Sequence, residues 1–146
     1  MKSISLILEA DSILKESPFA SLIENIVSLQ SEFLRTQSLD SRKALGQFFT
    51  SSAVSGYMAS LVKKPKADAV RILDAGAGTG ILAASTAFKC LGFGCKSVHA
   101  VLYELDSKAI VGLKQAMRAV ESAFIQHSAT FSFEIHCEDF VLARPD

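Results

Sequence analysis

The stretch Arg71–Ser85, RILDAGAGTGILAAS, decides the fold of this chain. An apolar run ends in an aspartate, three glycines then alternate with other residues, and a helix-forming run follows. This order is typical of a buried parallel β-strand that turns tightly into an α-helix. At such a turn the backbone N–H groups and the positive end of the helix dipole face the carboxyl edge of the sheet. The stretch therefore predicts a βα unit with a ligand site at its turn.

The segments around this stretch predict a parallel α/β unit that follows several helices. The predicted strands are residues 69–75, 97–104 and 130–138. The predicted helices are residues 3–16, 18–35, 52–62, 80–91 and 107–126, and Asp106 can cap the last of them. Strands that alternate with helices at this spacing indicate a parallel sheet with right-handed crossovers.

The composition indicates one globular domain. Of the 146 residues, 49% are apolar and 21% are charged, and 15 basic residues balance 15 acidic ones. A net charge of zero argues against a domain that holds nucleic acid by charge alone. The three cysteines have no CxxC spacing, and no secretory signal or membrane span is recognisable. We therefore expect a reduced, cytoplasmic protein that binds neither metal nor membrane.

The glycine loop predicts a ligand with a positively charged end. Gly76, Gly78 and Gly80 permit a tight turn and a close approach of the ligand to the backbone. The dinucleotide pattern G-x-G-x-x-G fails because Ile81 occupies its third glycine position, and the phosphate-binding loop pattern is also absent. Asp74 would repel a pyrophosphate, but it can accept hydrogen bonds from an ammonium group or from backbone N–H groups. A tight turn without a ligand is the alternative.

Acidic residues also end the next two predicted strands. Glu104 can accept hydrogen bonds from ribose hydroxyls, whereas Asp106 is explained by helix capping. Asp139 can accept from the exocyclic amine of a purine, a role that Glu138 could take instead, and Phe140 can pack on the ring. The alternatives are an exposed strand-end acid at Glu104 and a helix cap at Asp139. A cationic amino-acid end, a ribose and an adenine match the three acids in order, and S-adenosylmethionine has these parts.

These motifs resemble those of the class I S-adenosylmethionine-dependent methyltransferases, and more closely the adenine-N6 DNA methyltransferases of restriction–modification systems. LDAGAGTG, VLYELD and EDF resemble the family's three cofactor motifs in order. Upstream, LGQFFTSSAVSGYMASL resembles the Gly-Gln-Phe-Phe/Tyr-Thr segment that covers the methionine end of the cofactor in this family. The resemblance implies cofactor contacts from Phe48 and Thr50, while core packing suits one of Phe48 and Phe49. Ser51 stands where the family has proline, and it can still cap the following helix.

The resemblance implies a Rossmann-like methyltransferase fold, truncated to about three parallel strands and preceded by N-terminal helices. Residues 1–41 would form a helical segment, and residues 42–146 a partial S-adenosylmethionine-binding domain. In full-length relatives, the methyl group passes to the N6 atom of an adenine flipped out of DNA. The family's catalytic motif, Asn/Asp-Pro-Pro-Tyr/Phe, does not occur in these 146 residues. No catalytic residue is therefore assigned, and we expect this chain alone to be inactive.

Two alternatives stay open at this point. One is a methyltransferase of the same fold that acts on RNA, protein or a small molecule. The other is a non-catalytic, truncated subunit whose sheet is completed by a C-terminal half or by a partner chain. The exposed edge of the first strand would then be the docking surface.

Overall fold

The computed structural model of the chain describes residues 18–38, 40 and 49–143. In chain order the elements are α1 (Ala20–Thr36), α2 (Ser52–Ser60), β1 (Ala69–Ala75), α3 (Ile81–Gly92), β2 (Ser97–Tyr103), α4 (Ala109–Gln126) and β3 (Thr130–His136). The strands form one parallel sheet in the order β1-β2-β3. The predicted α/β class, with three parallel strands after N-terminal helices, is confirmed. The helix predicted over residues 3–16 lies outside the described residues.

The ends of several elements differ from the prediction by one or two residues. Helix α4 begins at Ala109 rather than at residue 107, because Asp106 first forms a turn. The Oδ1 atom of Asp106 accepts from the Lys108 N–H at 2.9 Å, and the Asp106 carbonyl accepts from the Ala109 N–H at 3.0 Å. Asp106 thus holds the turn before the helix instead of occupying the cap position. Ser51 does cap α2, since its Oγ accepts from the Val54 N–H at 3.3 Å.

The strands end in register. Ala75 of β1 pairs with Tyr103 of β2, which pairs with His136 of β3. The Glu104 N–H also donates to the His136 carbonyl at 3.0 Å, so the pairing extends one residue beyond β2. The segments that follow the three strands therefore meet at one edge of the sheet, which is where parallel α/β folds bind ligands.

In the described part of the chain, the helices pack on one face of the sheet. The inward residues of β2 (Val98, Ala100 and Leu102) are fully buried in one cluster with side chains of α1, α3 and α4. Helix α1 contributes Ile23 and Ile26, which lie three residues apart on its apolar face. Both side chains lie in the same buried cluster as the inward residues of β2, so α1 belongs to the same core as the sheet. Burial of such a side chain is worth about 1.5–3 kcal/mol.

Candidate functional site

The glycine loop between β1 and α3 is held in left-handed backbone conformations. The φ angles of Gly76, Gly78 and Gly80 are +90°, +55° and +85°, a region that residues with a side chain rarely adopt. The N–H groups of Gly76 and Ala77 both donate to the Tyr103 carbonyl at 2.8 Å. The loop is therefore tied to the end of β2.

The three glycines have different surroundings. A Cβ atom added to Gly76 would meet nothing within 4 Å, so this glycine faces open space. A Cβ atom on Gly78 would lie 3.1 Å from Cε1 of Phe49, and one on Gly80 would lie 2.7 Å from Cδ1 of Leu113. Gly76 therefore leaves room beside the loop, whereas Gly80 allows the start of α3 to approach α4 closely.

Glu104 holds the loop through its side chain. Its Oε2 accepts from the Gly78 N–H at 2.7 Å, and its Oε1 accepts from the Asp106 N–H at 2.8 Å. The residue is only 8% exposed, so these charge-assisted bonds are well shielded from water. A carboxylate has about four acceptor positions, and these two bonds use one position on each oxygen.

Asp74 carries a buried oxygen atom that no other described residue satisfies. Its Oδ2 has no hydrogen-bond partner in the described part of the chain. Burial raises the pKa of Asp74, a hydrogen bond from the Ala83 N–H opposes this shift, and the charge of Glu104 adds to it. A buried carboxylate oxygen without a donor is costly, so a donor from a bound ligand would stabilise the site.

Asp74 also lines a cavity of about 320 Å³ between α2, β1 and α3. The lining residues are Met58, Val62, Ile72, Leu73, Asp74, Leu82, Ala83 and Thr86. Apart from Asp74 and Thr86, the residues that line the cavity have apolar side chains, which is the character of a site that holds a small ligand group in a fixed orientation.

A second cavity, of about 210 Å³, lies at the strand ends. It is lined by Ala75, Gly76, Tyr103, Leu105, Glu138, Asp139, Phe140 and Val141. The Phe140 ring meets the edge of Tyr103 at a centroid distance of 5.1 Å, and Tyr103 stacks on His136 at 4.6 Å. Asp139 Oδ1 accepts from the Val141 N–H at 2.8 Å. The volume is below the roughly 300–1,000 Å³ of complete ligand pockets, so this cavity suits one part of a ligand, such as a ring.

The segment before α2 lies against the glycine loop. The Phe49 ring contacts Gly78 and meets the Phe33 ring of α1 at a centroid distance of 5.6 Å. The Thr50 carbonyl accepts from Nε2 of Gln30 at 3.3 Å. Phe48, which the resemblance places at the cofactor, lies outside the described residues.

Comparison of the sequence with known proteins finds similarity to methyltransferases. The chain is 33% identical over 102 residues to the Type II methyltransferase M.PstI of Providencia stuartii, a match that covers 70% of this chain and 20% of that protein. The chain is thus similar to Type II methyltransferases. It is also 35% identical over 68 residues to the Type II methyltransferase M.BsuBI of Bacillus subtilis, which covers 47% of this chain and 14% of that protein.

The chain spans a fifth or less of the length of these two curated Type II methyltransferases. No protein-family model and no solved structure matches it. A continuous stretch of 102 residues in a chain of 146 must include residues 45–102, wherever it begins. The similarity to M.PstI therefore includes Thr50, β1 and the whole glycine loop.

The structure adds residues to the site that the sequence did not single out. Tyr103 and Leu105 flank Glu104 and line the cavity at the strand ends. Their positions on either side of Glu104, the residue predicted to bind the ribose, could have indicated this role from the sequence. Gln30 is buried on α1 beside Ile23 and Ile26. A polar residue within an otherwise apolar helix face was its signal, but nothing in the sequence shows what it contacts.

Neither a metal site nor a membrane span is found among the described residues. They include no group of three or more His, Cys, Asp or Glu side chains that could hold a metal ion. None of the described helices is long and apolar enough to cross a membrane. His99 and His136 lie on β2 and β3, and His127 directly follows α4.

Proposed function

We propose that this chain forms the cofactor-binding part of an S-adenosylmethionine-dependent DNA methyltransferase of the restriction–modification type, which acts on adenine N6. The observation that carries this proposal is the edge of the sheet where Asp74, Glu104 and Asp139 follow or end three adjacent strands around a glycine loop. Similarity to Type II methyltransferases supports methyl transfer. The choice of adenine N6 in DNA rests on the resemblance of the Gly46–Thr50 segment to that group of enzymes.

The charges around the loop favour a ligand with a positive end. The negative charge of Glu104 adds to the burial that already raises the pKa of Asp74. A cationic group close to both carboxylates would relieve this repulsion, whereas a pyrophosphate would increase it. We assign the ammonium group of the cofactor to the buried Oδ2 of Asp74, which needs a hydrogen-bond donor.

The other parts of the ligand fit the remaining groups. The unused acceptor positions of Glu104 suit the ribose hydroxyls. Asp139 uses Oδ1 for the Val141 N–H, and we assign its Oδ2 to the exocyclic amine of the adenine. The cavity that Leu105 and Phe140 line would receive the apolar faces of that ring.

When bound, S-adenosylmethionine supplies an activated methyl group, and the chain supplies orientation and electrostatics. Asp74, Glu104 and Asp139 would fix the cofactor at three points along the edge of the sheet. We assign no catalytic residue to the chain, because it contains no Asn/Asp-Pro-Pro-Tyr/Phe segment. Contact with DNA, and completion of the sheet by a C-terminal half or a partner chain, belong to the proposal for the whole methyltransferase.

Calorimetric titration of the 146-residue chain tests the cofactor proposal. We expect heat of binding with S-adenosylmethionine and with S-adenosylhomocysteine, and weaker binding in Asp74→Asn and Glu104→Gln. The matched control is Glu24→Gln, which alters an exposed carboxylate on α1 and should not change the affinity. Absence of heat in the wild type, or equal affinities in all variants, would contradict the proposal. A parallel assay with tritiated cofactor and DNA should show no methyl transfer above background.

A further inference from the structure

We propose that Gln30 of α1 is a positioning residue for the cofactor site, because it joins the glycine loop to the segment before α2. This inference rests on the proposed function, since it assigns Gln30 to the same ligand. It adds a helix outside the motifs that carry the resemblance, and it makes one end of the site depend on that helix.

The side-chain amide of Gln30 uses both of its ends. Its Oε1 accepts from the Thr79 hydroxyl at 3.3 Å, and its Nε2 donates to the Thr50 carbonyl at 3.3 Å. Gln30 is 8% exposed and Thr79 is 1% exposed. Thr79 lies between Gly78 and Gly80, so the bond reaches the middle of the loop.

Only an amide side chain suits this position well. The group must accept a hydrogen bond from a hydroxyl and donate one to a carbonyl, and glutamine offers an acceptor oxygen and a donor nitrogen on one planar group. Both bonds are at the long end of the usual range. Their burial still matters, because an apolar replacement would leave the buried Thr79 hydroxyl without its bond to residue 30.

A neighbouring residue on α1 makes a second connection between the same two segments. Phe33 lies three residues after Gln30, and its ring meets the edge of the Phe49 ring with an interplanar angle of 73°. The Phe49 ring in turn packs against Gly78. Gln30 and Phe33 occupy neighbouring positions on one side of the helix, so α1 holds the loop by a polar contact and by an apolar one.

These contacts concern the glycine loop and the groups that are bonded to it. Glu104 is one of these groups, because its Oε2 accepts from the Gly78 N–H at 2.7 Å. Asp139 and the cavity that Phe140 lines lie at the strand ends, and no hydrogen bond joins Gln30 to them among the described residues. Loss of the Gln30 bonds should therefore disturb the binding of the amino-acid end and the ribose of the cofactor and spare its adenine.

Affinities for two ligands test this division. S-adenosylhomocysteine carries the amino-acid end and the ribose, and adenine lacks both. We expect Gln30→Met to weaken the binding of S-adenosylhomocysteine about tenfold, the effect of losing one buried hydrogen-bonded group, and to change adenine binding less than about twofold. Thr79→Val, which leaves α1 intact, should show the same selectivity, and the double variant should be little worse than either single one.

The matched control is Ile26→Val, which shortens a buried side chain of α1 and removes no hydrogen bond. It should leave both affinities within about twofold of the wild type. Two results would overturn the inference, because each indicates a structural role only. One is an equal loss of affinity for the two ligands in Gln30→Met, and the other is a selective loss of S-adenosylhomocysteine binding in Ile26→Val.

Amide hydrogen exchange, measured without ligand, tests the role of Gln30 separately from the proposed function. The N–H groups of Gly78 and Gly80 are bonded to Glu104 Oε2 and to the Ala77 carbonyl, so their protection reports on the loop. We expect exchange to become about tenfold faster in Gln30→Met and to stay unchanged in Ile26→Val. Unchanged exchange in Gln30→Met would overturn the inference even if the wild type binds both ligands. A wild type that binds neither ligand would overturn the proposed function and any role of Gln30 toward that ligand, while the exchange rates would still show whether Gln30 holds the loop.

Discussion

At the scale of single residues, one carboxylate accounts for much of the order in the glycine loop. Glu104 accepts two backbone N–H groups that belong to different turns, at 2.7 and 2.8 Å. The sequence placed an acid at the end of β2 and suggested a ligand for it, but not this internal role. The two roles are compatible, because a carboxylate held by two backbone donors keeps a fixed direction toward a ligand.

We therefore expect Glu104→Gln to destabilise the chain even without a ligand. The amide oxygen can accept only from its own side of the group, and the amide NH₂ then faces a backbone N–H that it cannot bond. The loss of a charged hydrogen bond should lower the free energy of unfolding by about 1–3 kcal/mol, as measured by urea denaturation at pH 7. Glu24→Gln on the exposed side of α1 should change it by less than about 0.5 kcal/mol. Equal values for the two variants would contradict the internal role of Glu104.

Asp74 should make stability fall as the pH rises. Burial raises the pKa of its carboxyl above the ordinary value of 3.8, and the charge of Glu104 adds to the shift although the Ala83 N–H opposes it. As the pH rises, the unfolded chain releases this proton first, so the folded state binds more protons in the window between the two pKa values. The free energy of unfolding of the wild type should therefore decrease through this window relative to that of Asp74→Asn.

Urea denaturation at several values of pH, from the ordinary carboxyl range up to neutrality, measures this difference. Asp68→Asn is the control, because Asp68 is an exposed carboxylate just before β1. If the difference between the wild type and Asp74→Asn did not vary with pH, the carboxyl of Asp74 would titrate alike in the folded and unfolded chains, and our account of its burial would be wrong.

At the scale of helices and strands, the features that could be predicted from the sequence are those that neighbouring residues determine. Strand β1 has its predicted bounds because an apolar run stands between a polar connection and three glycines. The start of α4 differs because the Asp106 side chain forms a turn that periodicity does not report. The contacts of α1 with Thr79 and Thr50 could not be predicted, since they depend on how a distant helix packs on the loop. Asp74, Glu104 and the glycines were placed at one edge because parallel strands dictate it.

Helix α1 should contribute to the stability of the whole sheet. Ile26 is 1% exposed within the common core, so Ile26→Ala should lower the free energy of unfolding by about 2–5 kcal/mol. Val111→Ala on α4 is the control. Val111 is 64% exposed, so this substitution should change the free energy of unfolding by less than about 0.5 kcal/mol. A single cooperative urea transition that shifts in Ile26→Ala but not in Val111→Ala is the expected result. If Ile26→Ala left the main transition in place, α1 would fold separately from the sheet.

At the scale of the whole molecule, the proposed site exists only when distant segments meet. Asp74, Glu104 and Asp139 are far apart in the chain and converge at one edge of the sheet through the register of its strands. Thr50 is joined to the glycine loop through Gln30. An unfolded chain therefore has no such site, and a ligand that binds here must stabilise the folded state. The net charge of the chain is zero, so general attraction between the chain and a charged ligand does not explain such a gain.

S-adenosylhomocysteine at a hundred times its dissociation constant should raise the free energy of unfolding by about 2.7 kcal/mol. ATP is the matched ligand control, since it shares the adenine and the ribose but carries a polyphosphate where the proposed ligand has an amino-acid end. The carboxylates of Asp74 and Glu104 should repel that polyphosphate, and ATP at the same concentration should shift the urea transition little. In Asp74→Asn the advantage of S-adenosylhomocysteine over ATP should shrink, because one of the two repelling charges is gone. Equal stabilisation of the wild type by both ligands would show that the loop does not select a positive end, and the assignment of the cofactor would then be wrong.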